Sequence, residues 1–159
     1  MNYFELFGIP ISFTPDKALV SAKYFELQKK YHPDFFTQST EDEQADALER
    51  SSMINKALKT FRDEDATIKY VLQLKGLLEE EEKYQLPPDF LMEMMELNEE
   101  LSADSKQQVD DITRALYNEV AVIIENYNES NTPAADLLKV KEYYYKKKYL
   151  QRILDRIAD

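Results

Sequence analysis

The chain has 159 residues, 43% of them hydrophobic and 32% charged, with a net charge of −11. That length holds one ordinary domain or two small ones, and the acidity argues against wholesale nucleic-acid binding. With no cysteine and one histidine it has no disulfide, no thiol nucleophile and no zinc or cluster site of its own, so neither metal nor cofactor is expected.

Two glycines and six prolines, with Ala, Leu, Glu, Lys, Gln and Met dominating the long segments, predict an all-α protein. Residues 3–7 form a short apolar segment closed by Gly8 and Pro10. Thr14-Pro15-Asp16 opens a helix with Thr14 as N-cap and Pro15 in its first turn. Val20, Tyr24, Leu27 and Tyr31 give that helix one apolar stripe, and Pro33 ends it. Phe35 to Thr40 reads as a loop, with Ser39 or Thr40 capping a helix that opens on Glu41-Asp42-Glu43. Leu48, Ile54, Leu58 and Phe61 carry it to about Arg62. Asp63-Glu64-Asp65 caps a further helix bearing Ile68, Val71, Leu72 and Leu74, which Gly76 breaks.

Residues 79–83 are a charge run, expected as a solvated helix face or linker. Pro87-Pro88-Asp89 starts a helix carrying Phe90, Leu91, Met94, Met95, Leu97 and Leu101. Ser102 or Asp104 caps the next, through Val109, Ile112, Leu116, Val120 and Ile124 to Tyr127. After a turn at 128–133, residues 134–157 form the last helix. Two units are expected, about 1–68 and 69–159, the second an antiparallel helical bundle. Net charge runs from zero over residues 1–38 through −4 (39–80) and −11 (81–138) to +4 (139–159). The basic last helix is thus suited to lie against the acidic middle. No apolar run reaches the roughly 18 residues a membrane span needs, and the start lacks the features of a signal or transit peptide. No membrane partner is expected, and the cytoplasm is the expected location.

Tyr31-His32-Pro33-Asp34 ends a helix that also bears Lys23, Lys29 and Lys30. Pro33 restricts the backbone, so His32 and Asp34 project from a stiff loop. Asp34 is a short anion suited to a charge-assisted hydrogen bond with a partner's Arg or Lys. Lys23 and Lys30 share a face that could steer an acidic surface. Alone, the tripeptide also fits routine helix punctuation, and Lys29-Lys30 fits a solvated face.

Three segments occur in order: Tyr3-Phe4-Glu5-Leu6-Phe7-Gly8-Ile9, then Tyr24-x-x-Leu27-x-x-x-Tyr31-His32-Pro33-Asp34, then Ile54-Asn55-x-Ala57-x-x-x-Phe61. Together they resemble the J-domain family, in which a His-Pro-Asp loop and the basic face before it dock on a DnaK-type ATPase and trigger ATP hydrolysis. The resemblance implies that His32, Pro33 and Asp34 form the activating loop, with Lys23, Lys29 and Lys30 as docking residues. Tyr70-x-Leu72-x-Leu74 and Phe90-Leu91-Met92-Glu93 narrow it to HscB, the J-protein of iron–sulfur cluster transfer.

That resemblance implies a J-domain over 1–68, a helical hairpin with short flanking helices, and a C-terminal three-helix bundle over 69–159, L-shaped overall. It implies two partners, a DnaK/HscA-family chaperone ATPase and an IscU-type iron–sulfur scaffold. The scaffold would be held by Leu91, Met92, Met95, Glu96 and Glu99 with an aromatic of the last helix, Tyr149, or else Tyr145. Spacing puts Leu91/Met92, Met95 and Glu99 on one helix face, with Phe90, Met94, Leu97 and Leu101 on the other, suited to a core. Methionine suits an adaptable binding surface, although Met92 and Met95 as core filler is the competing reading.

The chain departs from the family at Arg62-Asp63-Glu64-Asp65, which lacks a proline and a following arginine. Ala103 stands where an acid is expected, and Tyr143-Tyr144-Tyr145-Lys146-Lys147-Lys148 is an unusual run. No phosphate loop, nucleophile–base motif or Glu-x-x-His pattern is present, so catalysis is not expected. Two alternatives remain: a J-protein with a different client, and an acidic helical adaptor whose tripeptide is a coincidence.

Overall fold

The computed structural model describes residues 1–158, which form helices and no strand. In chain order these are α1 (Tyr3–Phe7), α2 (Lys17–Tyr31), a 3-10 turn (Pro33–Phe36), α3 (Glu41–Arg62), α4 (Glu64–Leu74), α5 (Pro88–Glu99), α6 (Ser105–Glu125) and α7 (Ala134–Ala158). Two compact units divide within α4, the first Met1–Val71 and the second from Leu72 onward. No helix among the described residues is long and apolar enough to cross a membrane.

In the first unit, Asn2 Oδ1 caps α1 by accepting the Glu5 N–H (2.8 Å), and Gly8 closes it at φ +65°, where a Cβ would be strained. One turn of helix cannot hold itself, so α1 is held by its rings. Phe4 and Phe7 are buried against Phe61 of α3, with ring centroids 5.0 and 5.2 Å away. Tyr3 stacks on Tyr70 of α4 at 4.5 Å, and its backbone N–H donates to the Tyr70 hydroxyl (2.8 Å).

The cap of α2 is Asp16, not Thr14: Asp16 Oδ1 accepts the Leu19 N–H at 2.8 Å. The Thr14 amide is engaged by Ser12 Oγ (3.0 Å), and Pro15 lies ahead of the helix. Asp is at least as good a cap as Thr, so the helix starts later than the Thr14 expectation placed it. Thr40 caps α3 as expected, accepting the Glu43 N–H at 3.2 Å. Its buried face is Ala47, Ser51, Ile54, Ala57, Leu58 and Phe61. Asn55 Oδ1 accepts from Tyr24 Oη (3.1 Å) and Gln28 Nε2 (3.0 Å), while the Arg50 guanidinium lies 5.1 Å from the Tyr31 ring centre. Contacts that advance along α2 as they retreat along α3 define an antiparallel hairpin.

In the second unit α6 packs against α7, with Tyr117 and Tyr143 edge to face at 5.9 Å. Phe90 and Met94 of α5, Val109 of α6 and Leu150 and Ile153 of α7 are buried together. Leu86, Leu97, Ile112, Leu116, Tyr149, Leu154 and Ile157 pack around them. Leu101 does not join this core and is exposed. The physical reason is that α5 ends at Glu99, and Glu100 leaves the helical region at φ −122°, ψ 64°.

The charge run before α5 is not uniformly solvated either. Glu82 is largely buried and pairs with Lys141 of α7 at 2.7 Å, so the basic last helix does meet an acidic segment there. Leu150 sits at the centre of the bundle with no exposed surface. Leu150→Ala should cost about 2–5 kcal/mol, read as a lower urea midpoint for this unit.

Candidate functional site

At the end of α2, Pro33 removes a backbone donor and forces His32 out of the helix, to φ −61°, ψ 132°. The His32 N–H still reaches the Gln28 carbonyl (2.9 Å), while its own carbonyl accepts the Phe35 N–H (3.0 Å). His32 Nδ1 accepts the Asp34 amide at 3.2 Å, so a neutral ring carries its proton on the outward Nε2. Asp34 Oδ2 lies 3.6 Å from Nδ1, too far for a hydrogen bond, and the Asp34 side chain is 84% exposed. The imidazole fixes the backbone of the loop and leaves the carboxylate exposed to solvent.

Gln44 of α3, to which sequence reasoning assigned no role, braces this loop. Its Nε2 donates towards the carbonyls of Phe36, Thr37 and Ser39 at 3.0, 3.2 and 3.3 Å. A glutamine in the first turn of an acidic helix carries no sequence signal for this. Phe35 is exposed beside the loop, its ring 6.1 Å from the His32 ring.

Lys23 pairs with Glu26 at 3.5 Å, and the Lys30 ammonium lies 5.4 Å from the Tyr31 ring centre. At 100° per residue Lys23 and Lys30 lie within about 20° of each other, whereas Lys29 lies about 120° away from Lys23. The helix therefore brings two of the three expected lysines together and turns the third aside.

The second cluster is on α5. Phe90 and Met94 are buried, but Met92 is 62% and Met95 58% exposed, which removes the core-filler reading for both. Leu91 is half-buried, and Glu96 and Glu99 are exposed. These five residues span an arc of about 140° opposite the buried face. Tyr149 reaches α5, its ring edge-on to Phe90 at 6.1 Å. Tyr145 instead stacks on Tyr84 at 4.5 Å. Burial first, then the Glu82 charge, pushes its phenol up to about 12. Beyond Glu96 the face turns acidic: Glu93, Glu96, Glu100 and Asp111 line a groove of about 730 Å³ with Leu97 and Ile112.

A helical hairpin tipped by an exposed His-Pro-Asp turn, with a separate three-helix bundle, is the architecture of a J-domain protein carrying a C-terminal helical domain. Residues 86–158 match the family model described as the HSCB C-terminal oligomerisation domain. A co-chaperone protein HscB homolog of Vibrio vulnificus is 33% identical, the match covering 93% of this chain and 93% of that protein. The homolog of Vibrio cholerae is 42% identical over 104 residues, a match spanning 65% of this chain and 61% of that relative's length. The solved structure of chaperone HscB from Vibrio cholerae superposes with a TM-score of 0.72 at 29% identity, covering 99% of this chain and 96% of that one. The chain belongs to the HscB family of co-chaperones.

Gln44→Ala removes the brace, so the Phe35 and Ser39 amides should exchange faster, by a local opening of about 1 kcal/mol, with the melting temperature nearly unchanged. The Lys141 hydrogen bond holds the Glu82 carboxyl below the usual glutamate range, ahead of the opposing effect of burial. A lowered folded-state pKa stabilises the fold above the ordinary glutamate range, and that stability is lost as pH falls through the folded value. Glu82→Gln should therefore destabilise by about 0.5–1 kcal/mol at neutral pH, the deficit vanishing in urea titrations in strong acid.

Proposed function

We propose that this chain stimulates the ATPase of a DnaK/HscA-family chaperone through His32-Pro33-Asp34 and delivers an IscU-type iron–sulfur scaffold to it. The observation that carries the reading is the loop: a carboxylate almost fully in solvent, on a backbone fixed by Pro33, the His32 imidazole and Gln44. An exposed anion on a rigid mount loses little entropy on pairing with a partner's arginine. Lys23 and Lys30 lie on the helix leading to it and would steer an acidic chaperone surface. Lys29, turned aside, would contribute less.

The scaffold face would be Leu91, Met92 and Met95, with Glu96 and Glu99 beside them and Tyr149 at the α7 edge. Two adjacent exposed methionines on an ordered helix suit a protein partner better than solvent. In this reading the protein has no catalytic residue and works by bringing two proteins together. The membership in the HscB family and the matched segments support it.

Asp34→Ala should abolish ATPase stimulation, measured as steady-state turnover of the chaperone, while the fold and scaffold binding are unchanged. Full stimulation by that variant would contradict the assignment. Met92→Glu with Met95→Glu should weaken scaffold binding at least about tenfold, since it places charge in a desolvated contact; titration calorimetry would measure it.

A further inference from the structure

The proposed partners leave most of the Tyr143–Lys148 run without a role. On α7, Tyr145, Lys148, Tyr149 and Arg152 recur at helical spacing on one face. With Lys83, Tyr84 and Leu86 of the segment before α5, and Glu82, they line a cavity of about 170 Å³. The Tyr84–Tyr145 stack and the Tyr149 ring form its aromatic walls. Lys83, Lys148 and Arg152 are exposed and make no ion pair among the described residues. The Glu82 carboxylate is matched by Lys141 at 2.7 Å, so the three cations have no acid of their own. Elsewhere on α7, Lys141 and Lys146 are paired with glutamates. In a chain of net charge −11, this is a local inversion of sign.

Its position sets what it can receive. Tyr149 lines the cavity and also meets Phe90, next to Leu91. Arg156 of α7 donates to Asn98 at 3.0 Å, so α7 borders α5 along that edge. The opposite edge of α5 is the acidic groove of Glu93, Glu96, Glu100 and Asp111. The exposed methionines lie between.

We infer that the Tyr84–Tyr145–Tyr149 cavity, with Lys83, Lys148 and Arg152, receives an acidic side chain of the docked scaffold protein. The inference rests on the proposed scaffold face and deepens it: the partner's surface must run from acidic opposite the cavity, through apolar opposite the methionines, to basic opposite the acidic groove. Such an order fixes orientation, because docking turned by half a revolution would place like charges together at both edges. A free anion is the poorer occupant. Each exposed cation contributes little to a mobile ion, whereas an acid already delivered by the methionine contact pairs within one complex.

The test is binding of an IscU-type scaffold at two ionic strengths to wild type, Lys148→Gln/Arg152→Gln and Lys148→Glu/Arg152→Glu, with circular dichroism as the check of folding. Neutralisation should weaken binding about three- to ten-fold at low salt, mainly in association rate, and reversal should weaken it further. The loss should shrink in high salt. Unchanged binding by the reversal variant, while Met92→Glu/Met95→Glu abolishes it, would overturn this inference and leave the scaffold face intact. Undiminished binding by the methionine variant would instead overturn the face itself. Saturable submillimolar binding of inorganic phosphate, lost in the reversal variant, would also overturn the inference, by giving the cavity to a free anion.

Discussion

The stop that Pro33 imposes on α2 is the constraint from which the exposed His-Pro-Asp loop follows. Without a donor at residue 33, and with the α region closed to His32, the chain must turn where the helix ends. The turn places the imidazole over the next amide, and the carbonyls that follow find Gln44. Asp34 is left with its carboxylate in water and its backbone fixed. Phe61 gathers α1 beneath the hairpin, and the antiparallel register through Asn55 gives the loop a rigid base.

In the second unit the decisive feature is the economy of α5. Twelve residues carry a buried face of Phe90 and Met94 and an outward face of Met92 and Met95. A longer helix would have drawn Leu101 inward, and its early end opens the acidic groove against α6. On the other edge α7 brings tyrosines and cations. An outward face with opposite charge at its two borders follows from which helix flanks α5 on each side.

Much of this was legible in the residues. Proline and glycine marked the helix ends at Pro33, Gly76 and Pro88, and the period of Phe90 and Met94 marked a core face. The cap of α2 was misplaced because Thr14-Pro15-Asp16 offers two good caps, and only backbone geometry chooses between them. Leu101 was misplaced because periodicity does not reveal where a helix ends without a glycine. Glu82 was hidden in a run of four glutamates, where nothing distinguishes the one that meets Lys141. Gln44 reaches back across a non-helical turn to Phe36, Thr37 and Ser39, and the tyrosine-lined cavity depends on a contact distant in sequence, Tyr84 with Tyr145; helical periodicity carries neither.

In the proposed function one chain couples a chaperone ATPase to a scaffold through two separate surfaces. Steady-state ATPase of a DnaK/HscA-family chaperone, with this protein and an IscU-type scaffold added singly and together, tests it most directly. Such coupling requires stimulation by the protein alone and more than additive stimulation by the pair. Stimulation indifferent to the scaffold would contradict the coupling, and none at all would contradict the reading of His32-Pro33-Asp34.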